Sequence, residues 1–174
     1  TQELSNITAN SSLLIKYQDA TSSQNTTVMQ ASSKLFEKQP SNYKHIDPYF
    51  NDYDLQVLLP HKLSQTGPGL AVGDINNDGI DDVFMGGGHA QEGQILIGRK
   101  SGGFKKSNNS IFNRDKQYED VGACFFDADN DGDQDLYVVS GSYEFARKPK
   151  LLLDRLYLNN GKGTFTRGKL PEFV

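Results

Sequence analysis

The chain of 174 residues contains no tryptophan, two methionines and a single cysteine, Cys124. One cysteine excludes an internal disulfide framework. Its place in the apolar run Ala123–Phe126 reads as a buried structural thiol, not a nucleophile. No run approaches the roughly 20 apolar residues that a membrane-spanning helix needs. The three histidines, His45, His61 and His89, are too scattered in sequence to suggest a zinc site. Positive charge is also short: the formal net charge is −4, so the basic footprint of a nucleic-acid-binding protein is missing. The start at Thr1 reads as a mature or cut N-terminus.

What is abundant is glycine, at 17 residues, with acidic residues gathered in two places. The segments Asp74-Ile75-Asn76-Asn77-Asp78-Gly79-Ile80-Asp81-Asp82 and Asp127-Ala128-Asp129-Asn130-Asp131-Gly132-Asp133-Gln134-Asp135 hold nine of the 22 acids. Each places oxygen-bearing side chains at positions 1, 3, 5 and 9, with Gly at 6. Alternate residues of a curling loop point inward, Gly takes the tight bend, and the carboxylate at 9 closes the cage. Such an all-oxygen cage suits calcium, which takes about 6 to 8 oxygen ligands at roughly 2.3–2.6 Å. The expected ligands are Asp74, Asn76, Asp78 and Asp82 with the carbonyl of Ile80 for one ion, and Asp127, Asp129, Asp131 and Asp135 with the carbonyl of Asp133 for a second. Asp81, at position 8, is expected to face outward or to contact the ligands from behind. Without metal, each loop would suffer like-charge repulsion.

The flanks decide how the loops are mounted. A helix-loop-helix calcium hand needs a bidentate Glu at position 12; here Met85 and Val138 stand there. Leu70-Ala71-Val72 and Ala123-Cys124-Phe125-Phe126 lead in, and Val83-Phe84-Met85 and Leu136-Tyr137-Val138-Val139 lead out. These short apolar runs read as buried strands, so each loop joins two strands.

The repetition extends further. Ile95 to Phe104 aligns without a gap on Leu156 to Phe165, both ending in Gly-x-Phe after a Gly-rich turn. The loops are 53 residues apart and the phenylalanines 61, so the second unit carries eight extra residues. The segment Tyr143 to Lys150 has no counterpart in the first unit. Insertions in repeats form loops on one face, often the binding face, which makes Tyr143, Phe145 and Arg147 the candidate binding residues. A period near 50 residues with about four strands suggests propeller blades.

The two loops, each between strands, resemble the FG-GAP and VCBS repeats of integrin α-subunit propellers and bacterial surface proteins, matching their D-x-[DN]-x-D-G-x-x-D loop at every ligand position. The run Leu58-Leu59-Pro60-His61-Lys62-Leu63-Ser64 ahead of Gly67-Pro68-Gly69 is similar to the bacterial branch that often accompanies ASPIC/UnbV domains. Gly67-Pro68-Gly69 and Val121-Gly122-Ala123 stand where that family carries Phe-Gly. The resemblance implies an all-β fold, a partial β-propeller with calcium loops between adjacent strands, and a noncatalytic role in protein or glycan binding or in scaffolding.

The expected organisation is a polar linker or the end of a preceding module over residues 1–34, with one edge strand at Leu13 to Tyr17. A repeat region follows over 35–174, with units at about 55–110 and 111–174 and a strand at Leu55 to Leu59. A full propeller needs about 4 to 8 blades, so the remaining blades are expected in a longer parent chain. Calcium loops of this kind bind in the weak range of extracellular modules, which places the protein outside the cytoplasm, secreted or on the cell surface or outer membrane. Phe125-Phe126-Asp127-Ala128-Asp129 also resembles the start of a haloacid-dehalogenase phosphatase, with Asp127 as nucleophile and Asp129 as acid/base. That scheme leaves the loop at Asp74 without a role, and no catalytic residue is assigned.

Overall fold

A computed structural model of the protein describes residues 43–170. Among the described residues, eight strands form two four-stranded antiparallel sheets, each in chain order. The first contains β1 (Leu70–Gly73), β2 (Asp82–Met85), β3 (Gln94–Gly98) and β4 (Phe104–Lys106); the second contains β5 (Asp120–Phe126), β6 (Asp135–Ser140), β7 (Arg155–Leu158) and β8 (Thr166–Arg167). One turn of helix, α1 (Ile111–Arg114), lies on the connection between them. The linker assigned to residues 1–34, its strand at Leu13 to Tyr17 and the pair Leu35-Phe36 lie outside the described residues.

Strand periodicity decides which residues meet. Ala71 pairs with Phe84, and Phe84 with Ile95, so these three share one face of the first sheet. Ala123 pairs with Val138, and Phe125 with Leu136, which in turn pairs with Tyr157; this is one face of the second. The two faces close on each other as a single hydrophobic cluster, which also takes in Ile75, Phe112 and Phe165. Phe112 of α1 sits between the sheets, with its ring centroid 5.4 Å from Phe84 and 5.2 Å from Tyr157. Aromatic rings in this tilted, edge-on range add to the free energy of burial. The inner strands approach so closely that a Cβ on Gly69 would lie 2.6 Å from the carbonyl carbon of Gly122. Only glycine fits there.

Two expectations need correcting. Leu55 to Leu59 is not a strand. Asp52–Asp54 forms a 3-10 turn instead, Gln56 N–H bonds back to the Asp52 carbonyl, and Leu59 N–H to that of Gln56. The buried Asp52 carboxylate accepts from the backbone N–H of Leu63 and Ser64, tying the segment into a closed loop. Val57 and Leu58 consequently face solvent. Cys124 is exposed, not buried. Alternation along β5 turns Ala123 and Phe125 into the core, which sends Cys124 and Phe126 to the opposite face.

The added length of the second unit falls between β6 and β7, as the sequence comparison expects. It forms two 3-10 turns, Tyr143–Phe145 and Pro149–Leu152.

Candidate metal centre

Both acidic segments lie between the first two strands of their sheets and close with the same hydrogen bonds. In the first, the Asp74 carboxylate accepts from Asp78 N–H at 3.1 Å and Gly79 N–H at 2.7 Å. In the second, Asp127 accepts from Asp131 at 3.2 Å and Gly132 at 3.0 Å. Asp78 and Asp131 each receive the N–H two residues on, from Ile80 and Asp133, both at 2.9 Å. Asn77 and Asn130 adopt φ of 59° and 63°, and Gly79 and Gly132 φ of 80° and 91°. These left-handed residues wind the backbone inward at the same two positions of each loop.

The carboxylates at position 9 are the anchors. Asp82 accepts from Ile75 N–H at 3.2 Å and, across the sheet, from Gly98 N–H at 2.7 Å. Asp135 accepts from Ala128 N–H at 2.9 Å and Asn159 N–H at 2.7 Å. Each Asp135 oxygen spends one lone pair on these bonds and keeps another for a further partner; in Asp82 only Oδ1 does so, because Oδ2 also accepts from Asn76 Nδ2. Both residues are fully buried, while Asp78, Asp127, Asp129 and Asp131 are exposed.

The charges register this crowding. Partial desolvation, with the neighbouring charges of Asp131 and Asp135, pushes Asp129 up from the usual carboxylate range. Burial, with the charges of Asp78 and Asp74, pushes Asp82 up despite its backbone bonds. At Asp74 desolvation opposes ionisation, but the N–H groups of Gly79, Asp78 and Asn76 outweigh it and hold the carboxyl below its ordinary value. A cation would relieve the repulsion.

The residues fit a hard cation on two counts. One carboxylate oxygen from each of Asp127, Asp129 and Asp135 lies within 4.8 Å of the others, inside the roughly 5 Å that separates ligands on opposite sides of a calcium ion. In the first loop Asn76 donates through Nδ2 to Asp82 at 3.2 Å, and its Oδ1 is buried without a hydrogen-bond partner. A buried amide oxygen left unpaired costs about 1–3 kcal/mol, and a cation at position 3 would recover it. Asp81 is exposed.

The opposite end of the sheets carries charge that sequence reasoning missed. Asp120, at the start of β5, pairs with the buried Arg155 of β7 and also accepts from Gly87 N–H at 2.9 Å. Arg155 stacks on Tyr118 at 4.4 Å, and the Tyr157 hydroxyl donates to Asp115 at 2.7 Å. Next to the pair, Glu119 is 1% exposed with Oε1 unpartnered. Burial, opposed by a hydrogen bond from Ser142 and reinforced by the charges of Asp47, Glu144 and Asp120, pushes its carboxyl up to about 8. No local signal distinguishes these residues from surface charges, because their partners lie tens of residues away.

Of the candidate binding residues, Arg147 is exposed and Tyr143 half-buried, its hydroxyl 2.7 Å from Gln56 Oε1. Phe145 is a correction. It is 1% exposed and meets the His89 ring edge-on at 5.0 Å, while His89 Nδ1 lies 2.9 Å from Glu144 Oε1. The aromatic ring forms the small core of the inserted loop and leaves no face for a ligand.

Paired four-stranded antiparallel sheets, packed face to face with a loop of this form between their first two strands, define a β-propeller-like module. The model of the FG-GAP-like repeat family matches residues 74–138, the stretch from the first acidic loop through the second. No curated protein matches the chain. No helix among the described residues is long and apolar enough to cross a membrane.

Proposed function

We propose that this chain is a noncatalytic, calcium-binding repeat module of a larger extracytoplasmic bacterial protein, presenting its inserted loop to a protein or glycan ligand. The observation that carries the calcium reading is the repetition of one hydrogen-bond pattern in two loops whose position-9 carboxylates are buried and whose outer carboxylates repel. Asp74, Asn76, Asp78, Asp82 and the Ile80 carbonyl hold one ion. Asp127, Asp129, Asp131, Asp135 and the Asp133 carbonyl hold the other. The ions fix the turn between adjacent strands, and their role is rigidity. Repeats of this family are often extracellular and generally lack catalysis, which supports the location and the noncatalytic role.

Further blades of a parent chain belong on both outer faces. Leu70 and Val72 are exposed on one side and Cys124, Phe126 and Val139 on the other, and each set corresponds in sequence to residues packed between the two sheets. Scaffolding alone is the second reading, favoured by the burial of Phe145 within the inserted loop.

Thermal melting with calcium and with a chelator tests the metal. A ligand that binds only the folded chain adds about 2.7 kcal/mol at 100 times its dissociation constant. Unchanged melting in the wild type, with Asp74→Asn and Asp127→Asn equally indifferent to calcium, refutes the reading. A glycan and surface-protein binding screen, with Arg147→Ala as the control, separates adhesion from scaffolding.

A further inference from the structure

A continuous hydrogen-bonded path joins the two acidic loops, and one side chain completes it. Asn159, at the end of β7, is 8% exposed. Its backbone N–H donates to Asp135 Oδ1 at 2.7 Å, while its Nδ2 donates to the Ile75 carbonyl at 2.7 Å and to the Gln134 carbonyl at 3.0 Å. Ile75 is position 2 of the first loop, and its own N–H donates to Asp82. The position-9 carboxylate of each loop is therefore tied to the other through Asn159 and the backbone of Ile75. The surroundings reinforce the tie. Gly163 N–H donates to the same Ile75 carbonyl at 3.1 Å, and Asn77 Nδ2 reaches Asp133 Oδ1 at 3.4 Å.

The first sheet shows what the side chain adds. Gly98 occupies the place of Asn159 and gives Asp82 the same backbone N–H, but a Cβ there would lie 2.4 Å from the Asp81 carbonyl. The backbone clamp belongs to both sheets; the amide that reaches across to a neighbouring loop belongs to the second alone.

We propose that Asn159 couples the two cation sites, so that filling the loop at Asp127 strengthens binding at the loop at Asp74. The proposal rests on the calcium reading. A cation that orders Asp135 orders Asn159 and, through it, the Ile75 peptide that anchors Asp82. The second cation then meets a loop whose ordering cost is already met, which gives positive coupling without a change of fold. Asn159 is a positioning residue, since no atom of it is placed in either cage.

Calcium titration of the full chain, read at the backbone amides of Gly79 and Gly132 by two-dimensional NMR, follows each loop separately. Asp127→Asn is expected to weaken calcium binding at the Gly79 reporter about fivefold or more, the lower end of ordinary allosteric coupling. In an Asn159→Ala background, which keeps the backbone bond to Asp135, both loops bind and Asp127→Asn shifts the Gly79 titration less than about twofold. Asn159→Gly, the residue of the first sheet, serves in its place if the alanine variant does not fold. Calcium-insensitive amides at both glycines refute the calcium reading itself. Two binding loops with a Gly79 titration indifferent to Asp127→Asn, or weaker at Gly79 when the second loop is intact, overturn the coupling alone. An equal effect of Asp127→Asn with and without the Asn159 amide removes Asn159 from the path.

Discussion

At the end that carries the acidic loops, Asp82 and Asp135 hold their segments by the same two backbone bonds. At the other end the sheets diverge: Glu119, Asp120 and Arg155 of the second stand where the first has Thr66, Gly67 and Gln94. The faces diverge as well. Ala71, Phe84 and Ile95 are buried against the second sheet, whereas Cys124, the counterpart of Ala71, is exposed and Tyr137, the counterpart of Phe84, is only half-buried. Repeated sequence thus preserves what each unit must do for itself, closing a loop on its own strands. It varies where a unit meets something outside itself, because the neighbour differs.

The strongest way to break this comparison is to strike equivalent positions. Arg155→Ala leaves Asp120 buried and uncompensated, a change that costs about 3–5 kcal/mol, while Gln94→Ala at the matching site costs less than about 1 kcal/mol. Urea denaturation of the two variants measures the gap, and equal losses would show that the buried pair is not the anchor of the second sheet. Phe84→Ala removes a ring packed on Phe112 and is expected to cost about 3–5 kcal/mol, against about 1 kcal/mol for Tyr137→Ala, which forfeits a hydrogen bond to Asp154 on the open face.

Glu119 sharpens the contrast through pH. Its carboxyl sits near 8 in the fold against an ordinary 4.5, so the native chain holds a proton that the unfolded chain has released. The cost of ionising it is absent below about 4.5, accumulates as pH rises and levels off above about 8. Glu119→Gln, which keeps the neutral shape, is expected to be more stable than wild type at pH 9 by about 1–3 kcal/mol, with the difference vanishing near pH 4. A gap that stays constant across that range would contradict the assignment. Smallest of all, Cys124→Ser changes stability by less than about 0.5 kcal/mol, and Cys124 reacts with a thiol reagent in the native chain at a rate close to that in denaturant. Slow native labelling would mean that the outer face of β5 is covered.

Several of these features were legible beforehand. The glycine-punctuated acidic segments and the apolar runs around them specify strand, loop, strand from local sequence alone, since loop winding depends on Gly79 and Gly132 and on bonds spanning no more than eight residues. The insertion was legible as a difference of spacing. Leu55 to Leu59 misled because an apolar run takes strand form only where a partner strand offers hydrogen bonds, and here Asp52 captures the backbone first. Cys124 misled because alternation states that neighbours on a strand face opposite ways without stating which way has a sheet behind it. Phe145 looked like a ligand contact because an aromatic residue in an insertion reads the same whether it points outward or folds under its own loop.

By itself, the sequence determined that two equivalent acidic loops would form between strands of a repeated sheet, because their winding is local chemistry of Asp, Asn and Gly at fixed positions. Only the tertiary structure decided which sheet faces pack, that Arg155 and Glu119 are buried, and that Asn159 ties one loop to the other. Those outcomes depend on contacts between residues 35 and 84 positions apart, over which spacing along the chain carries no geometric information until the sheets have closed on their common core.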